Sequence, residues 1–289
     1  MSSRSALWRA LRWLALLAVL AAALGHATGL RPLRFVTELD LAIGDARLRT
    51  FMPRTLDPRI VIVDIDEKSL AEIGRWPWGR DRLAALTDEL FVRQRAAVVG
   101  FDIVFAEPDA SSGLPTLERL AAAAPPIAAA LAPLRAELDH DARFAAALAG
   151  RRAVLGFYLT NADPGRRIGE LPAPVFDAAA LQGRAIAFPR WNSYAANIAV
   201  LARAAPRAGF FNNVPDHDGL VRAVPLVAEV DGRHHEALAL AMYRAFTGGP
   251  ALRPLFGGPR TLAGVALEQA TPQGGVERQA IAVDGRVQA

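Results

Sequence analysis

"IVIVDIDEKSLAEIGRWPWGRDRLAALTDEL", residues 60 to 90, decides the reading of this chain. The β-branched run Ile60 to Val63 predicts a strand buried on both faces, which turns polar at Asp64 and Asp66. Ser69 can cap a short helix that stops at Gly74, and Trp76-Pro77-Trp78 forms a corner. A second helix starts near Asp81, with Leu83, Leu86 and Leu90 at spacings of three and four on one face. The following "AVVGFDIVF", residues 97 to 105, is another apolar strand interrupted by Asp102. A crossover of that length between two apolar strands predicts a parallel β-α-β unit.

Working outward, residues 107 to 138 are rich in Pro, Ala and Ser and predict a loop with a short helical excursion. A helix then ends at Gly150, and a strand follows from Ala153 to Leu159. Residues 209 to 214 and 220 to 230 predict a strand pair about an Asp- and Gly-rich turn, in which Asp216 makes an Asx-type bond and Gly219 takes a positive φ. "HHEALALAMYRAFTGG" reads as the last helix, and "QAIAVDGRVQA" as a strand and Asp-Gly turn that breaks off before a partner strand. No internal repeat is visible. The fold class is therefore α/β, a mixed sheet with a parallel β-α-β core and an antiparallel hairpin.

"WLALLAVLAAAL", residues 13 to 24, is uncharged, and the uncharged stretch continues to Leu30. That length predicts one transmembrane helix over 13–30. Arg4, Arg9 and Arg12 precede it, which places residues 1–12 in the cytoplasm and residues 31–289 outside, at the inner membrane. A cleaved signal peptide ending at Ala27 competes, but the apolar run leads directly into an amphipathic segment from Leu33 to Phe51, favouring an anchor. A formal charge of +4 comes almost wholly from arginine, because Lys68 is the only lysine. Those arginines are scattered without interleaved aromatics, which speaks against nucleic acid as a partner. With no cysteine, disulfides, thiolate nucleophiles and Cys-ligated metals are excluded.

On one extended strand, Asp64 and Asp66 point to the same side, with Asp102 on the neighbouring strand. Acidic groups at the ends of adjacent parallel strands lie where open α/β sheets bind ligands. Equally, they can cap helices and pair with Arg75 or Arg80. The lone Asp-x-Asp is similar to the opening motif of haloacid-dehalogenase-type phosphatases, which would make the protein a metal-dependent hydrolase using Asp64 and Asp66. That match fails at Glu67-Lys68, and no later strand ends in a paired acidic motif. Trp76 and Trp78 can line a pocket or anchor a corner, and Arg80 can lie against a ring or bridge to an aspartate. Asp216, Asp218 and Arg222 read as a hairpin turn, and His217, His234 and His235 as solvated residues without metal-ligand spacing.

"DPRIVIVDIDEKSLAEIGRWPWGRDRLAALTDEL", "AAVVGFDIVFAEPD" and "GFFNNVPDHDGLVRAVPLV" together resemble the second type of CHASE domain, from about residue 35 onward. Asp64, Asp66, Ser69, Trp76, Pro77, Trp78, Arg80, Asp102, Asp216, Asp218 and Arg222 stand at the pattern positions. The resemblance implies a membrane-anchored sensory domain outside the membrane, taking an unknown small ligand, with no catalytic residue or cofactor of its own. It also implies further helices and an output: a class III adenylate or guanylate cyclase, a histidine kinase or a protein kinase; a homodimer is expected as well. This chain ends before any such output, as an incomplete sensor would. Candidate ligand-binding residues are Asp64, Asp66, Trp76, Trp78, Arg80, Asp102, Asp216, Asp218 and Arg222. A purely structural dimerisation module is the remaining alternative.

Overall fold

The computed structural model describes residues 2–28, 30–162, 164–271 and 275–283, with side chains from residue 8 onward except residue 10. The side chain of Arg4 and the Asp284-Gly285 turn lie outside the described residues. The chain divides into two units, Met1–Asp66 and Glu67–Ala289.

The first unit holds α1 (Ser2–Ala27) and α2 (Arg34–Phe51). Thr28 ends α1 by donating its hydroxyl to the Leu24 carbonyl at 2.7 Å. Among the described residues no helix is long and apolar enough to cross a membrane, which corrects the span expected over 13–30. Trp13 to Ala27, the uncharged part of α1, rises only ~22 Å at about 1.5 Å per residue, short of a ~30 Å hydrocarbon core. Alanine, Gly25 and His26 dilute its apolar character further.

A second correction concerns Ile60 to Asp66, which form no strand and stand in solvent, with Ile62 88% exposed. β-propensity alone does not hold a strand. The ladder needs a neighbour, and none pairs with these residues among those described.

The second unit starts with α3 (Glu67–Ile73) and α4 (Arg80–Asp88), which runs on as a π-helical turn, Glu89–Arg93. Strand β1 (Val99–Phe101) follows and is shorter than the expected strand 97–105, so Asp102 lies just beyond it. Four helices, α5 (Leu114–Ala123), α6 (Pro125–Leu131), α7 (Arg135–Leu138) and α8 (His140–Leu148), lead to β2 (Ala153–Thr160). The β-α-β unit expected between residues 60–66 and 97–105 therefore does not form; instead β1 pairs in parallel with β2, and this helical excursion is their crossover. The next elements are β3 (Arg167–Ile168), β4 (Arg190–Trp191), β5 (Ser193–Ala195), α9 (Ala199–Ala204) and β6 (Ala208–Phe210). In this mixed sheet β2 pairs in parallel with β1 and β6 and antiparallel with β5, and β5 carries β3.

The chain continues through β7 (Val227–Val230), β8 (Arg233–Glu236) and α10 (Leu238–Phe246) to β9 (Ala251–Phe256), β10 (Leu262–Ala270) and β11 (Val276–Ala282). Two three-stranded sheets result, β4-β7-β8 and β11-β10-β9. The strand pair expected from residues 209–214 and 220–230 does not form, because β6 joins β2 while β7 joins β4 and β8. Past Phe210 the ladder is replaced by a side chain. Asn212 accepts the Leu159 N–H at 2.8 Å and donates to the Leu159 carbonyl at 2.7 Å. Likewise, His234 and His235 belong to β8 rather than to the last helix and are fully buried, not solvated. The final strand does have a partner, β10.

Phe101, Phe105 and Phe144 pack edge to face at 5.2 to 6.2 Å and, with Leu83, Leu148 and Phe157, fill the main core between helices and sheet. Gly209 lets α10 lie on that sheet. A Cβ there would come 2.5 Å from the backbone of Leu238.

Candidate functional site

The main core ends in a polar layer where the N-termini of α4 and α8 meet the loop after Phe105. Arg80, the first residue of α4, lays its guanidinium over the Phe105 ring, 4.4 Å from the centroid. Its backbone N–H donates to Asp109 Oδ2 at 2.6 Å, so this loop carboxylate takes the role that Gly79, at the N-cap, has no side chain to fill. Asp109 Oδ1 accepts the Ser111 N–H at 2.6 Å, and the Asp109 N–H donates to Asp141 Oδ2 at 2.8 Å. Asp139 caps α8 by accepting the Ala142 N–H at 2.9 Å, which fixes His140 and Asp141 as its first two residues.

His140 Nδ1 lies 3.4 Å from Asp81 Oδ1, 3.4 Å from Asp109 Oδ2 and 3.2 Å from Ser111 Oγ. Arg80 Nε faces Asp141 Oδ1 at 3.6 Å, both groups being largely buried. Burial pushes the Asp109 carboxyl up, but the N–H groups of Arg80 and Ser111 outweigh it and hold it below the ordinary carboxylate value. For Asp141 burial wins, and its carboxyl sits above the ordinary value despite the Asp109 N–H and the Arg80 guanidinium. Burial likewise lowers the Arg80 guanidinium. A cavity of about 170 Å³ opens on Asp109, His140 and Asp141 and is bounded by Leu114, Glu118 and Arg135. Among the described residues, Asp81, Asp109 and His140 are the group that could hold a metal ion, since their donor atoms lie within 4.8 Å of one another.

Of the residues singled out from sequence, only Arg80 enters this layer. Trp78 packs against the main core and donates its indole N–H to the Gly74 carbonyl at 2.8 Å, with Trp76 edge-on at 5.8 Å. Asp64 and Asp66 are exposed and belong to the first unit, so no adjacent pair of strands carries them toward Asp102, which is exposed in the second. The three residues near the 216–222 turn clasp one another. Arg222 donates to Asp216 Oδ2 at 2.9 Å and to Asp218 at 2.9 and 2.7 Å. The Asx-type bond is made by Asp218 to the Leu220 N–H, rather than by Asp216, and Gly219 has φ 82°. Asp81, Asp109, Ser111, His140 and Asp141 were not singled out. The available signal is the Asp139-His140-Asp141 triplet, which has the same sequence as Asp216-His217-Asp218, where His217 is exposed.

These features define a mixed α/β domain with a half-buried polar pocket at one end of its main core. More particularly, the chain belongs to the CHASE2 domain family, whose model matches residues 14–284. CHASE2 domains are extracellular sensory domains of signalling receptors. No curated protein and no solved structure matches the chain.

Proposed function

We propose that this chain is the extracytoplasmic sensory input region of a bacterial receptor whose output is a class III adenylate or guanylate cyclase, a histidine kinase or a protein kinase. The family match across residues 14–284 carries this reading. The cavity that α5, α7 and the start of α8 form with the loop at Asp109 is the proposed ligand site, since it joins half-buried charges to about 170 Å³ of space, which suits an ion or a very small solute. A ligand there that favours one arrangement of α5 and α7 against α8 shifts the equilibrium between signalling states.

Membrane attachment through α1 is part of the proposal. Its described apolar side chains, among them Trp13, Leu16, Val19 and Leu20, stand exposed around the whole helix, a pattern that calls for an apolar surrounding. A homodimer is proposed because a membrane-attached input region relays a signal most simply by moving two copies relative to each other.

The test is a receptor carrying the natural output. A screen of small extracytoplasmic solutes should find one that changes output activity, and Asp141→Asn should abolish that response while basal output persists. A ligand response that survives Asp141→Asn would refute the pocket. Output that responds to no solute although the chain lies outside the membrane would refute the sensory reading.

A further inference from the structure

We propose that Asp81, Asp109 and His140 form a binding site for a single borderline divalent cation of the zinc or manganese type. The proposal rests on the sensory reading only for its meaning, since Asp109 and His140 also line the proposed ligand cavity and a cation there would be a ligand of that site. Geometry carries it. Donor atoms arranged tetrahedrally at about 2.1 Å from an ion stand about 3.4 Å apart, and the general ligand distances for zinc are of that size. His140 Nδ1 stands 3.4 Å from a carboxylate oxygen of Asp81 and 3.4 Å from one of Asp109. Two of the three edges of the trio thus have the length that one ion requires, and all of its donor atoms lie within 4.8 Å of one another. Ser111 Oγ, 3.2 Å from the same nitrogen, is placed for a fourth ligand or for the water that supplies it.

Three observations separate this site from an ordinary surface cluster of acids. First, the Asp109 side chain is only 7% exposed and is oriented by two backbone N–H groups, the second-shell support that fixes a ligating carboxylate. Second, the permanent cation of the cluster, Arg80, makes its ion pair with Asp141, at 3.6 Å, although the Asp109 charge also acts on it. Asp141 Oδ1 itself is a buried atom with no hydrogen-bond partner among the described residues, beside a cavity that reaches His140. Third, the convergence depends on a missing side chain. A Cβ on Gly79 would come 2.5 Å from Asp81 Oδ1 and 2.6 Å from Ser111 Oγ, so any larger residue there would push the donors apart. An imidazole nitrogen with two carboxylates suits Zn²⁺, Mn²⁺ or their neighbours, whereas Mg²⁺ and Ca²⁺ prefer oxygen alone.

The full 289-residue chain, stripped with EDTA and dialysed against ZnCl₂ or MnCl₂, should retain one ion per chain by elemental analysis and unfold at a higher temperature than the stripped form. His140→Gln and Asp81→Asn should each weaken binding by more than about a hundredfold, beyond the roughly 10- to 100-fold that loss of a residue merely supporting a ligand costs. His217→Gln, on the exposed turn, should bind as the unaltered chain does. Both site variants alter side chains at the edge of the polar layer, and far-ultraviolet circular dichroism checks that they fold. Retention of well under one ion per chain, undiminished binding by folded His140→Gln, or equal stabilisation by MgCl₂ would each overturn the site. If zinc binds as expected but the receptor's output ignores it, the site stands and only its sensory use fails.

Discussion

Asn197 is 2% exposed and works in place of backbone: its Oδ1 accepts the Phe105 N–H and its Nδ2 donates to the Gly156 carbonyl, both at 2.9 Å. Asparagine is the one residue of its size offering a donor and an acceptor in that geometry without charge. Asn197→Ala leaves two buried backbone groups unpaired and should cost about 2 to 6 kcal/mol in urea unfolding. His235 poses the opposite problem. It is 1% exposed, edge-on to Phe157, and neither ring nitrogen has a hydrogen-bond partner among the described residues. Burial first, then His234 and Arg233, push its pKa down from 6.5 to about 4. The native state thus binds this proton less readily than the unfolded chain, so its contribution is intact above pH 6.5 and fades as the pH falls toward 4. Between pH 7 and pH 5 this amounts to about 2 kcal/mol. In His235→Leu the loss of stability over that interval should be smaller by about that amount, as measured by denaturant titration at the two pH values.

At the scale of elements, legibility followed local pattern. The helix near Asp81 with Leu83 on its inner face, the strand from Ala153 and the glycine-stopped last helix were all readable, because apolar period and breakers are local signals. Pairing was not. Ile60 to Val63 has ideal strand composition but no ladder, and residues 220–226 stay outside any strand although they alternate with the same residue types. Partners come from distant sequence, which composition does not encode. The site stayed hidden for a related reason. Asp81, Asp109 and His140 are brought together by two helix starts and the loop after Phe105, and each residue alone is unremarkable in sequence. The contact of α10 with the sheet was equally silent until Gly209 was seen against the Leu238 backbone. Gly209→Ala cannot relieve that approach by turning a side chain, and it should destabilise the fold by about 1 to 3 kcal/mol, seen as a lower midpoint with an unchanged urea slope.

For the whole molecule, the family was legible from three ordered motifs, and the family match bears this out. The N-terminal helix shows how length decides a membrane reading. An uncharged run is long enough on paper to residue 30, yet its helical part stops at Ala27. If α1 nevertheless attaches the protein to lipid through its exposed apolar surface, deleting residues 1–30 should release the chain from a washed membrane fraction into the soluble one. Persistent sedimentation with lipid would show that attachment lies elsewhere.

The uncovered run Ile60 to Val63 has a further consequence for how this protein behaves at high concentration. Four consecutive uncharged β-branched residues in solvent form a short adhesive segment of the kind that seeds cross-β assembly. What restrains it is the sequence immediately around it, with Arg59 before and Asp64 and Asp66 after, charges that repel a second copy stacking in register. The aspartates that first suggested chemistry thus acquire a colloidal duty. Replacing both by asparagine should shorten the lag of thioflavin-positive aggregation, and Ile62→Lys should lengthen it.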